Sequence, residues 1–353
     1  MAEEIKFHGH DSNRGIVGVG LVGFGYWGPN LARNFSSQFN CRLLAICENN
    51  AARAEYARRL FPSAAVTPDF EDLVSNPDIQ AIVIATPVAS HYSIAKAALL
   101  SGKDIFVEKP FTQTVEQAED LVAIANKTGQ LIAVDHTFLY TGSVRKIYEL
   151  VKKKELGDLL YFDSVRVNLG LFQQDVNVIY DLAPHDLSIL VHLIDKKPIA
   201  LRAMGVCHGP QKLESLAYLH LDFEDGFVAH FHFSWVAPVK IRKTILAGTN
   251  KMLVYDDLEL MEKVRLYDKG IVLTPNKESV YNIQVEYRTG DMLAPKLEVR
   301  EALSTEAEHF LGCVRTRSRP LSDGEMGLKV VRLLAASEES LRTGGNRVLL
   351  ENP

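Results

Sequence analysis

The sequence predicts an α/β protein of two domains, in which a doubly wound parallel sheet is followed by an α+β domain with a mostly antiparallel sheet. Three observations support this fold class. The length of 353 residues suggests about two domains. Short apolar runs alternate with longer helical patterns from residue 16 to about residue 136, and strands with period-two alternation follow.

The first region contains five short runs in which apolar residues are continuous rather than alternating, as expected of parallel strands covered on both faces. These predicted strands are residues 16–22, 42–47, 81–85, 104–107 and 131–134. Helical patterns lie between them at residues 29–39, 51–60, 90–101 and 115–128. The regular alternation of strand and helix predicts parallel pairing.

The second region opens with a predicted helix at residues 143–154 and continues with alternating strands. Those strands include residues 159–167, 215–222, 227–235 and 241–247. Alternation of this kind is typical of an antiparallel sheet with one packed face. Helical patterns at residues 305–313 and 324–343 close the chain. We therefore predict domains at residues 14–136 and 137–353, and expect that the final helix can pack back on the first domain.

Composition favours a protein that acts on small molecules. The formal net charge is −5, and the longest basic run is Lys152 to Lys154, so neither nucleic acid nor an anionic membrane is an expected partner. No apolar stretch reaches the roughly 18 residues of a spanning helix. The N-terminus lacks the profile of a signal peptide, so a cytoplasmic location is expected. His8 and His10 could contact a metal in principle, but His230 and His232 have no cysteine or carboxylate partner at ligand spacing, so no metal is expected.

A glycine-rich stretch at residues 18–28 contains two overlapping G-x-G-x-x-G matches, which begin at Gly18 and Gly23. A dinucleotide-binding turn requires a strand before it and a helix after it, so that the pyrophosphate meets free backbone N–H groups. Only the second match has both, because residues 16–22 precede it and Pro29 suits a first helical position. We therefore assign Gly23, Gly25 and Gly28 to the phosphate-binding turn of a Rossmann domain.

Glu48 follows the second predicted strand and lies 20 residues after Gly28. A carboxylate at this position hydrogen-bonds the adenosine ribose and repels a 2′-phosphate. The cofactor is therefore predicted to be NAD rather than NADP, although Arg53 nearby favours the phosphate.

Four further motifs resemble the Gfo/Idh/MocA oxidoreductase family, and with the glycine turn they span nearly the whole chain. They are Ala-Thr-Pro at 85–87 with His91, Glu-Lys-Pro at 108–110, Asp-Leu-Ala-Pro-His at 181–185 and Ser-Asp-Gly at 322–324. Glu-Lys-Pro is the most specific. The resemblance implies an N-terminal Rossmann domain, a C-terminal domain on a large open sheet, and a homodimer or homotetramer formed through that sheet.

Within the family, three segments resemble the branch that acts on nucleotide-linked sugars. They are Gly-Tyr-Trp-Gly-Pro-Asn at 25–30, Asp-Leu-Ala-Pro-His-Asp at 181–186, and Ser-Trp-Val-Ala-Pro at 234–238. That branch includes NAD-dependent dehydrogenases that oxidise C3 of UDP-N-acetyl-aminosugar uronates, and sugar 3-ketoreductases.

Oxidation of a secondary alcohol needs a base for the hydroxyl proton and a group that stabilises the oxygen. Lys109 lies just beyond a predicted strand and can donate to the reacting oxygen; a surface ion pair with Glu108 is the alternative. The resemblance implies that His185 is the acid/base, and that Asp181 contacts the substrate or orients the imidazole. A capping Asp181 and a packing His185 remain the alternative, and Asp186 and His192 are expected to cap and pack.

The resemblance also implies further contacts with the cofactor and the substrate. Expected cofactor contacts are Tyr26, Trp27, Thr86, Pro87, His91, Glu108 and Lys109. Candidate substrate contacts, each with a structural alternative, are Tyr140, Arg166, Asn168, Lys240 and Arg242. The stretch 170–177 is expected to cross the pocket, with no role assigned to its individual residues.

Four functions are compatible with these residues. An NAD-dependent sugar dehydrogenase is favoured by Glu48. An NADPH-dependent ketoreductase would favour a basic or hydroxyl residue at that position. An NAD-using glycoside hydrolase or a non-catalytic NAD-binding sensor is also possible on this fold, although the combination of Lys109, Asp181 and His185 argues against a sensor.

Overall fold

The structure is a computed structural model and describes residues 15–170, 172, 176–210, 212–274 and 284–350. His8 and His10, and residues 171 and 173–175 of the stretch predicted to cross the pocket, lie outside this range. The chain divides into two compact units. The first comprises the residues up to Glu108, Asp120–Asp135 and Leu303–Gly324, and the second comprises Lys109–Glu119, His136–Ala302 and the residues from Glu325 onward.

The first unit is built on a parallel sheet of six strands. In chain order the strands are β1 (Val17–Val22), β2 (Cys41–Cys47), β3 (Ala65–Thr67), β4 (Ala81–Ile84), β5 (Asp104–Val107) and β6 (Ile132–Val134). The first five helices of the chain are α1 (Gly28–Ser36), α2 (Ala51–Leu60), α3 (Glu71–Ser75), α4 (His91–Leu100) and α5 (Val115–Thr128). The predicted doubly wound sheet is confirmed; β3 and α3 were not predicted, since each spans too few residues to show a period.

The strand order of this sheet is β3-β2-β1-β4-β5-β6, and all its pairs are parallel. The order reverses between β1 and β4. In open α/β sheets, ligands bind beyond the carboxyl ends of the strands at this kind of switch point. The turns that follow β1 and β4 are therefore the first place to look for a bound dinucleotide.

The second unit contains a sheet of nine strands. They are β7 (Leu159–Leu169), β8 (Pro198–Val206), β9 (Leu216–Phe223), β10 (Val228–Ser234), β11 (Val236–Gly248), β12 (Met252–Asp256), β13 (Val264–Thr274), β14 (Gln284–Leu293) and β15 (Val348–Leu349). Their order is β14-β13-β12-β11-β7-β10-β9-β8-β15. Among the described residues, β7 and β10 pair in parallel, and the other neighbouring strands pair antiparallel. The predicted open, mostly antiparallel sheet is confirmed.

The remaining helices are α6 (Gly142–Lys152), α7 (Val178–Leu193), α8 (Ala302–Thr316) and α9 (Gly324–Arg342). Most of α8 belongs to the first unit, where Phe310 makes edge contacts with Phe35 and Phe106 at ring distances of 6.2 and 5.6 Å. This aromatic contact explains why a late segment of the chain joins the early sheet. No helix within the described residues combines the length and hydropathy needed to cross a membrane.

Candidate active site

The glycine turn after β1 shows three separate requirements for glycine. Gly23 has a φ of +96°, a region in which other residues are strained. A Cβ at Gly28 would lie 2.3 Å from the carbonyl oxygen of Gly23, so the helix can approach the turn only without a side chain. At Gly25 the nearest atom to a Cβ would be a guanidinium nitrogen of Arg53 at 3.7 Å, which leaves the backbone open to a ligand.

The register predicted from the sequence agrees with this geometry. Gly18 lies inside β1, and α1 begins at Gly28 with a proline in its first turn. α1 therefore begins directly after a turn that a Cβ would obstruct, and the N–H groups of Asn30 and Leu31 in its first turn bond the carbonyl of Trp27. These features fit the pyrophosphate of a dinucleotide.

Glu48 directly follows β2, and its side chain is buried against the same turn. One carboxylate oxygen accepts a hydrogen bond from the backbone N–H of Phe24 at 2.9 Å, and the other accepts one from the N–H of Asn50 at 2.8 Å. Each oxygen retains a second lone pair, which a ribose hydroxyl can use. Glu48 therefore connects the phosphate-binding turn with the place where a ribose would lie.

The two aromatic residues of the glycine turn have different environments. Tyr26 is 94% exposed and stacks on Trp27 with 6.5 Å between ring centroids. The indole N–H of Trp27 donates to a carboxylate oxygen of Asp135 at 3.0 Å. Trp27 therefore links the glycine turn to the end of β6, while Tyr26 presents a free ring face to a ligand.

The turn after β4 is held together by internal hydrogen bonds. The hydroxyl of Ser90 donates to the hydroxyl of Thr86 at 2.8 Å. A ring nitrogen of His91, which is buried at the start of α4, lies 2.8 Å from the carbonyl oxygen of Thr86. His91 thus shapes the Thr86–Pro87 turn, and its direct contact with a cofactor stays a prediction. Glu108 follows β5, and its backbone N–H donates to Ile84 at 2.9 Å.

In the second unit, Lys109 and Asp181 form a close pair. The ammonium group of Lys109 donates to the backbone carbonyl of Asp181 at 2.9 Å and lies 3.8 Å from one of its carboxylate oxygens. The other carboxylate oxygen accepts a hydrogen bond from the indole N–H of Trp235 at 3.0 Å. Asp181 lies in the first turn of α7, which Asn177 caps through the N–H groups of Ile179 and Tyr180. Lys109 is therefore held in place by the first turn of α7.

His185 lies one turn beyond Asp181 on α7, and its imidazole is packed against the ring of Phe138 at 5.0 Å. Burial, with the positive charges of Lys109 and Arg166, lowers the pKa of His185 well below its ordinary value near 6.5. The imidazole is consequently neutral at pH 7 and able to accept a proton.

Arg166 has the structural role that the sequence analysis kept open for it, and its contact with a substrate stays a prediction. Its buried guanidinium makes a two-point ion pair with the buried carboxylate of Asp186, with N···O distances of 2.5 and 3.2 Å. It also lies over the ring of Phe138, 4.6 Å from the ring centroid. Arg166 therefore packs on Phe138, which in turn contacts His185. The predicted capping role of Asp186 is wrong, because Asp186 lies inside α7 and its carboxylate accepts hydrogen bonds from Arg166 and Ser164.

The other predicted substrate contacts are distributed unevenly. Tyr140 is buried at the end of a short helical turn, and Asn168 is half-buried near the end of β7. Arg242 pairs with Asp257 at 3.4 Å and lies 6.0 Å from the centre of the Phe138 ring, so it joins the cluster around His185. Lys240 is exposed on β11.

Sequence reasoning missed three residues of this cluster: His136, Phe138 and Trp235. His136 had a detectable signal, since it directly follows the predicted strand 131–134, and polar residues after parallel strands often serve ligands. Trp235 lies in the segment 234–238 that carried part of the resemblance, but nothing there indicated that its indole N–H would meet Asp181. Phe138 had no signal, because an apolar ring does not indicate which side chain it will contact.

Two family models match the chain over most of the region just described. The model for the "Oxidoreductase family, NAD-binding Rossmann fold" matches residues 17–136, and that for the "GFO/IDH/MocA C-terminal domain" matches residues 144–254. The chain belongs to the Gfo/Idh/MocA oxidoreductase family. The resemblance inferred from the motifs is therefore confirmed, and the protein is an oxidoreductase with an NAD-binding Rossmann domain.

Members of the family with known names give context. The UDP-N-acetylglucosamine 3-dehydrogenase of Acidithiobacillus ferrooxidans is 26% identical over 321 residues, which cover 89% of this chain and 93% of that protein. The scyllo-inositol 2-dehydrogenase (NADP(+)) IolW of Bacillus subtilis is 27% identical over 224 residues, or 60% of this chain and 59% of that protein. The solved structure of GenD2 from gentamicin A biosynthesis in complex with NAD has a TM-score of 0.80 at 20% identity, covering 98% of this chain and all of GenD2, and supports the fold alone.

Proposed function

We propose that this protein is an NAD-dependent dehydrogenase that oxidises a secondary hydroxyl of a nucleotide-linked sugar, of the type oxidised at C3 of a UDP-aminosugar or its uronate. The observation that carries the proposal is the arrangement of Lys109, Asp181 and His185 in one cluster. It provides a held cation and a half-buried neutral imidazole, which are the groups that alcohol oxidation requires. The relative from Acidithiobacillus ferrooxidans supports the choice of sugar.

In this proposal, bound NAD supplies the acceptor for the hydride. Lys109 donates a hydrogen bond to the substrate oxygen and stabilises its negative charge as the proton leaves. His185 accepts that proton on oxidation and returns it on reduction. Asp181 keeps the ammonium group in place through its backbone carbonyl and carboxylate, and Trp235 orients that carboxylate.

The preference for NAD over NADP rests on Glu48. A 2′-phosphate placed beside this buried carboxylate would be repelled, whereas a ribose diol can donate to it. A Glu48→Ser variant should gain affinity for NADP and lose affinity for NAD. Dissociation constants for NAD and NADP, measured by nucleotide fluorescence, check this. An unchanged ratio of the two constants would contradict a role of Glu48 in the choice of cofactor.

A second candidate function is an NADP-dependent enzyme that works as a ketoreductase. The guanidinium of Arg53 lies near Gly25 of the glycine turn, where it could meet a 2′-phosphate, and the relative from Bacillus subtilis is named for NADP. Both candidates use the same cluster around Lys109, and they differ in cofactor and direction.

The first experiment denatures the purified protein and identifies any released dinucleotide by mass spectrometry. NAD or NADH supports the dehydrogenase, whereas NADP or NADPH makes the ketoreductase the leading function. The protein is then incubated with NAD and either UDP-N-acetylglucosamine or its uronate. NADH formation with a product two mass units lighter supports the proposed substrate class, and no reaction with either compound contradicts it.

We also propose that the protein forms a homodimer or homotetramer through the sheet of the second unit, in the cytoplasm. One face of β9 and β10 carries partly exposed side chains such as Tyr218, His220 and His230, while the alternate residues are buried. Light scattering coupled to size-exclusion chromatography gives the oligomeric state. A monomer at micromolar concentration would contradict this assignment.

A further inference from the structure

Asp257, which directly follows β12, is a carboxylate shared by two cations. The guanidinium of Arg242 lies 3.4 Å from one of its oxygens. The ammonium group of Lys263 donates to its backbone carbonyl at 2.6 Å and lies 3.4 Å from its other carboxylate oxygen. That oxygen also accepts a hydrogen bond from the hydroxyl of Tyr255 at 3.1 Å. One carboxylate therefore holds two cations, and the three charged groups together keep a positive charge.

The ion pair of Arg166 on the same face of the sheet provides a contrast. Arg242 on β11 lies opposite Arg166 on β7, so both side chains project from one face. Arg166 is buried, and Asp186 balances its charge alone. The side chains of Arg242 and Lys263 are 35% and 34% exposed, and no second carboxylate of the described residues forms an ion pair with either. These two cations therefore keep donors that a ligand can reach.

The cations also lie near the proposed base. The guanidinium of Arg242 is 6.0 Å from the centre of the Phe138 ring, and the imidazole of His185 packs against the same ring at 5.0 Å. All three residues belong to the second unit. A group attached to the sugar that His185 deprotonates can therefore contact Arg242.

The charge and the shape of these donors limit the chemistry of the ligand. A guanidinium presents a planar fork of N–H groups that matches two oxygens of a carboxylate or a phosphate, and an ammonium group adds a compact charge. A neutral hydroxyl would engage one donor and leave the surplus charge unbalanced. The fitting ligand is therefore an anionic group with at least two oxygens.

We propose that Arg242 and Lys263 bind an anionic group of the substrate, a carboxylate or a phosphate, and that Asp257 is the positioning residue that holds both cations. This inference rests on the proposed function, because His185 is assigned there to the reacting hydroxyl. It narrows the substrate class to sugars that carry a negative charge near the oxidised ring. An uncharged sugar or polyol would bind poorly.

Three substrates and two enzymes test the anion contact. UDP-N-acetylglucosamine carries a diphosphate, its uronate adds a carboxylate, and N-acetylglucosamine carries neither. Each is assayed with the wild type and with Arg242→Gln at about pH 8, where the imidazole of His185 is neutral in both enzymes. Arg242→Gln should lower kcat/KM for an anionic substrate about 10- to 100-fold, mostly through KM.

The pattern of losses identifies the anion. Equal losses with both nucleotide sugars assign the cations to the diphosphate, whereas a loss confined to the uronate assigns them to its carboxylate. No loss with either compound overturns the proposal. A loss of the same size with N-acetylglucosamine also overturns it, because Arg242 would then act on the reaction without binding an anion.

The positioning role of Asp257 predicts a separation of KM from kcat. Asp257→Asn keeps the size of the side chain and removes its charge, so Arg242 and Lys263 lose the group that holds them. KM for the anionic substrate should rise about 3- to 10-fold while kcat is retained. Asp257→Glu restores the charge and should recover part of the affinity. A fall in kcat and thermal stability with KM unchanged would show a merely structural role.

Lys243 provides a control for the loss of a positive charge. It is the next residue of β11, so its side chain projects from the opposite face, where it pairs with Asp256 at 3.2 Å. Its side chain is 42% exposed, similar to that of Arg242. Lys243→Gln should leave KM unchanged for all three substrates. Equal increases of KM in Lys243→Gln and Arg242→Gln would contradict a specific contact.

A binding measurement covers the case in which the proposed reaction fails. NAD-loaded wild type, Arg242→Gln and Lys263→Gln are titrated with UDP-N-acetylglucosamine and with its uronate by isothermal calorimetry. A Kd that is about 10- to 100-fold weaker in both variants, without turnover in the wild type, supports this inference and contradicts the proposed reaction. The same Kd in all three proteins, or no binding of either compound to the wild type, overturns the inference whatever the assay of turnover shows.

Discussion

The candidate sites of the two units are built by different means. In the first unit, the glycine turn offers backbone N–H groups, and its key residues matter because they lack side chains. In the second unit, the cluster around Lys109 depends on side chains brought from several distant segments. A site formed by backbone groups comes from one short segment of the chain, whereas a site formed by side chains takes its residues from segments that are far apart in the sequence. The first kind can therefore be located by spacing alone, and the second kind requires the tertiary structure.

The largest effect expected from this difference concerns Lys109. Replacing it with methionine, which keeps much of the apolar stem, should lower kcat by about 1,000-fold because the substrate oxygen loses its cationic donor. Affinity for NAD, measured by fluorescence, should fall far less than kcat, because Lys109 is only one of several expected cofactor contacts. Lys96→Met, at a partly exposed lysine paired with Asp120 in the first unit, is the matched control and should retain activity. Retained activity in Lys109→Met would contradict the proposed mechanism.

The next prediction compares two glycines of the turn. In Gly25→Ala the new Cβ meets no atom closer than 3.7 Å, so the protein should fold normally while NAD affinity falls about 10- to 100-fold, because the methyl group occupies the approach to the backbone. In Gly28→Ala the Cβ would meet the Gly23 carbonyl at 2.3 Å, so stability should fall by about 1–3 kcal/mol.

Gly312→Ala provides the control for both variants. This glycine lies in α8, and a Cβ there would meet nothing within 4 Å. Alanine should raise stability by about 0.5–1 kcal/mol through its helix propensity. Thermal unfolding and NAD titration of the three variants would separate folding from binding. Normal NAD affinity in Gly25→Ala would place the pyrophosphate elsewhere.

A smaller effect is expected at Trp235. Phenylalanine keeps a ring in the buried space and removes the indole N–H that donates to Asp181, so kcat should fall about 10-fold. The pH profile should also change, because the Asp181 carboxylate would be free to reorient beside Lys109. Phe233→Leu, at a buried aromatic residue of β10, tests for a general effect of repacking. If both variants lose kcat equally, Trp235 contributes only packing.

The smallest effect concerns the pH dependence of the base. His185 must be neutral to accept a proton, and burial together with the positive charges around it, Arg242 included, holds its pKa well below 6.5. The acid limb of kcat/KM should therefore lie well below pH 6.5. Arg242→Gln removes one charge, raises the pKa, and should move this limb upward by a few tenths to about one pH unit. Lys240→Gln, on the same strand but exposed, should leave the limb in place.

Much of the fold and part of the site could be predicted because their signals are local. Apolar runs separated by helical patterns predicted the parallel sheet, and the strand before Gly23 selected the register of the glycine turn. The position of Glu48 after β2 followed from the same pattern. Motif resemblance added Lys109, Asp181 and His185 as a set, although it did not indicate which of their atoms are hydrogen-bonded to each other.

What the sequence by itself determined is the class of each unit, the phosphate-binding turn and the family, because periodicity and glycine spacing act over a few residues. Only the tertiary structure decided that Arg166 pairs with Asp186 and that Trp235 orients Asp181. The physical reason is that these contacts join side chains from separate segments. The residue type determines whether a group can donate or accept a hydrogen bond, and the fold determines which partners lie within hydrogen-bonding distance.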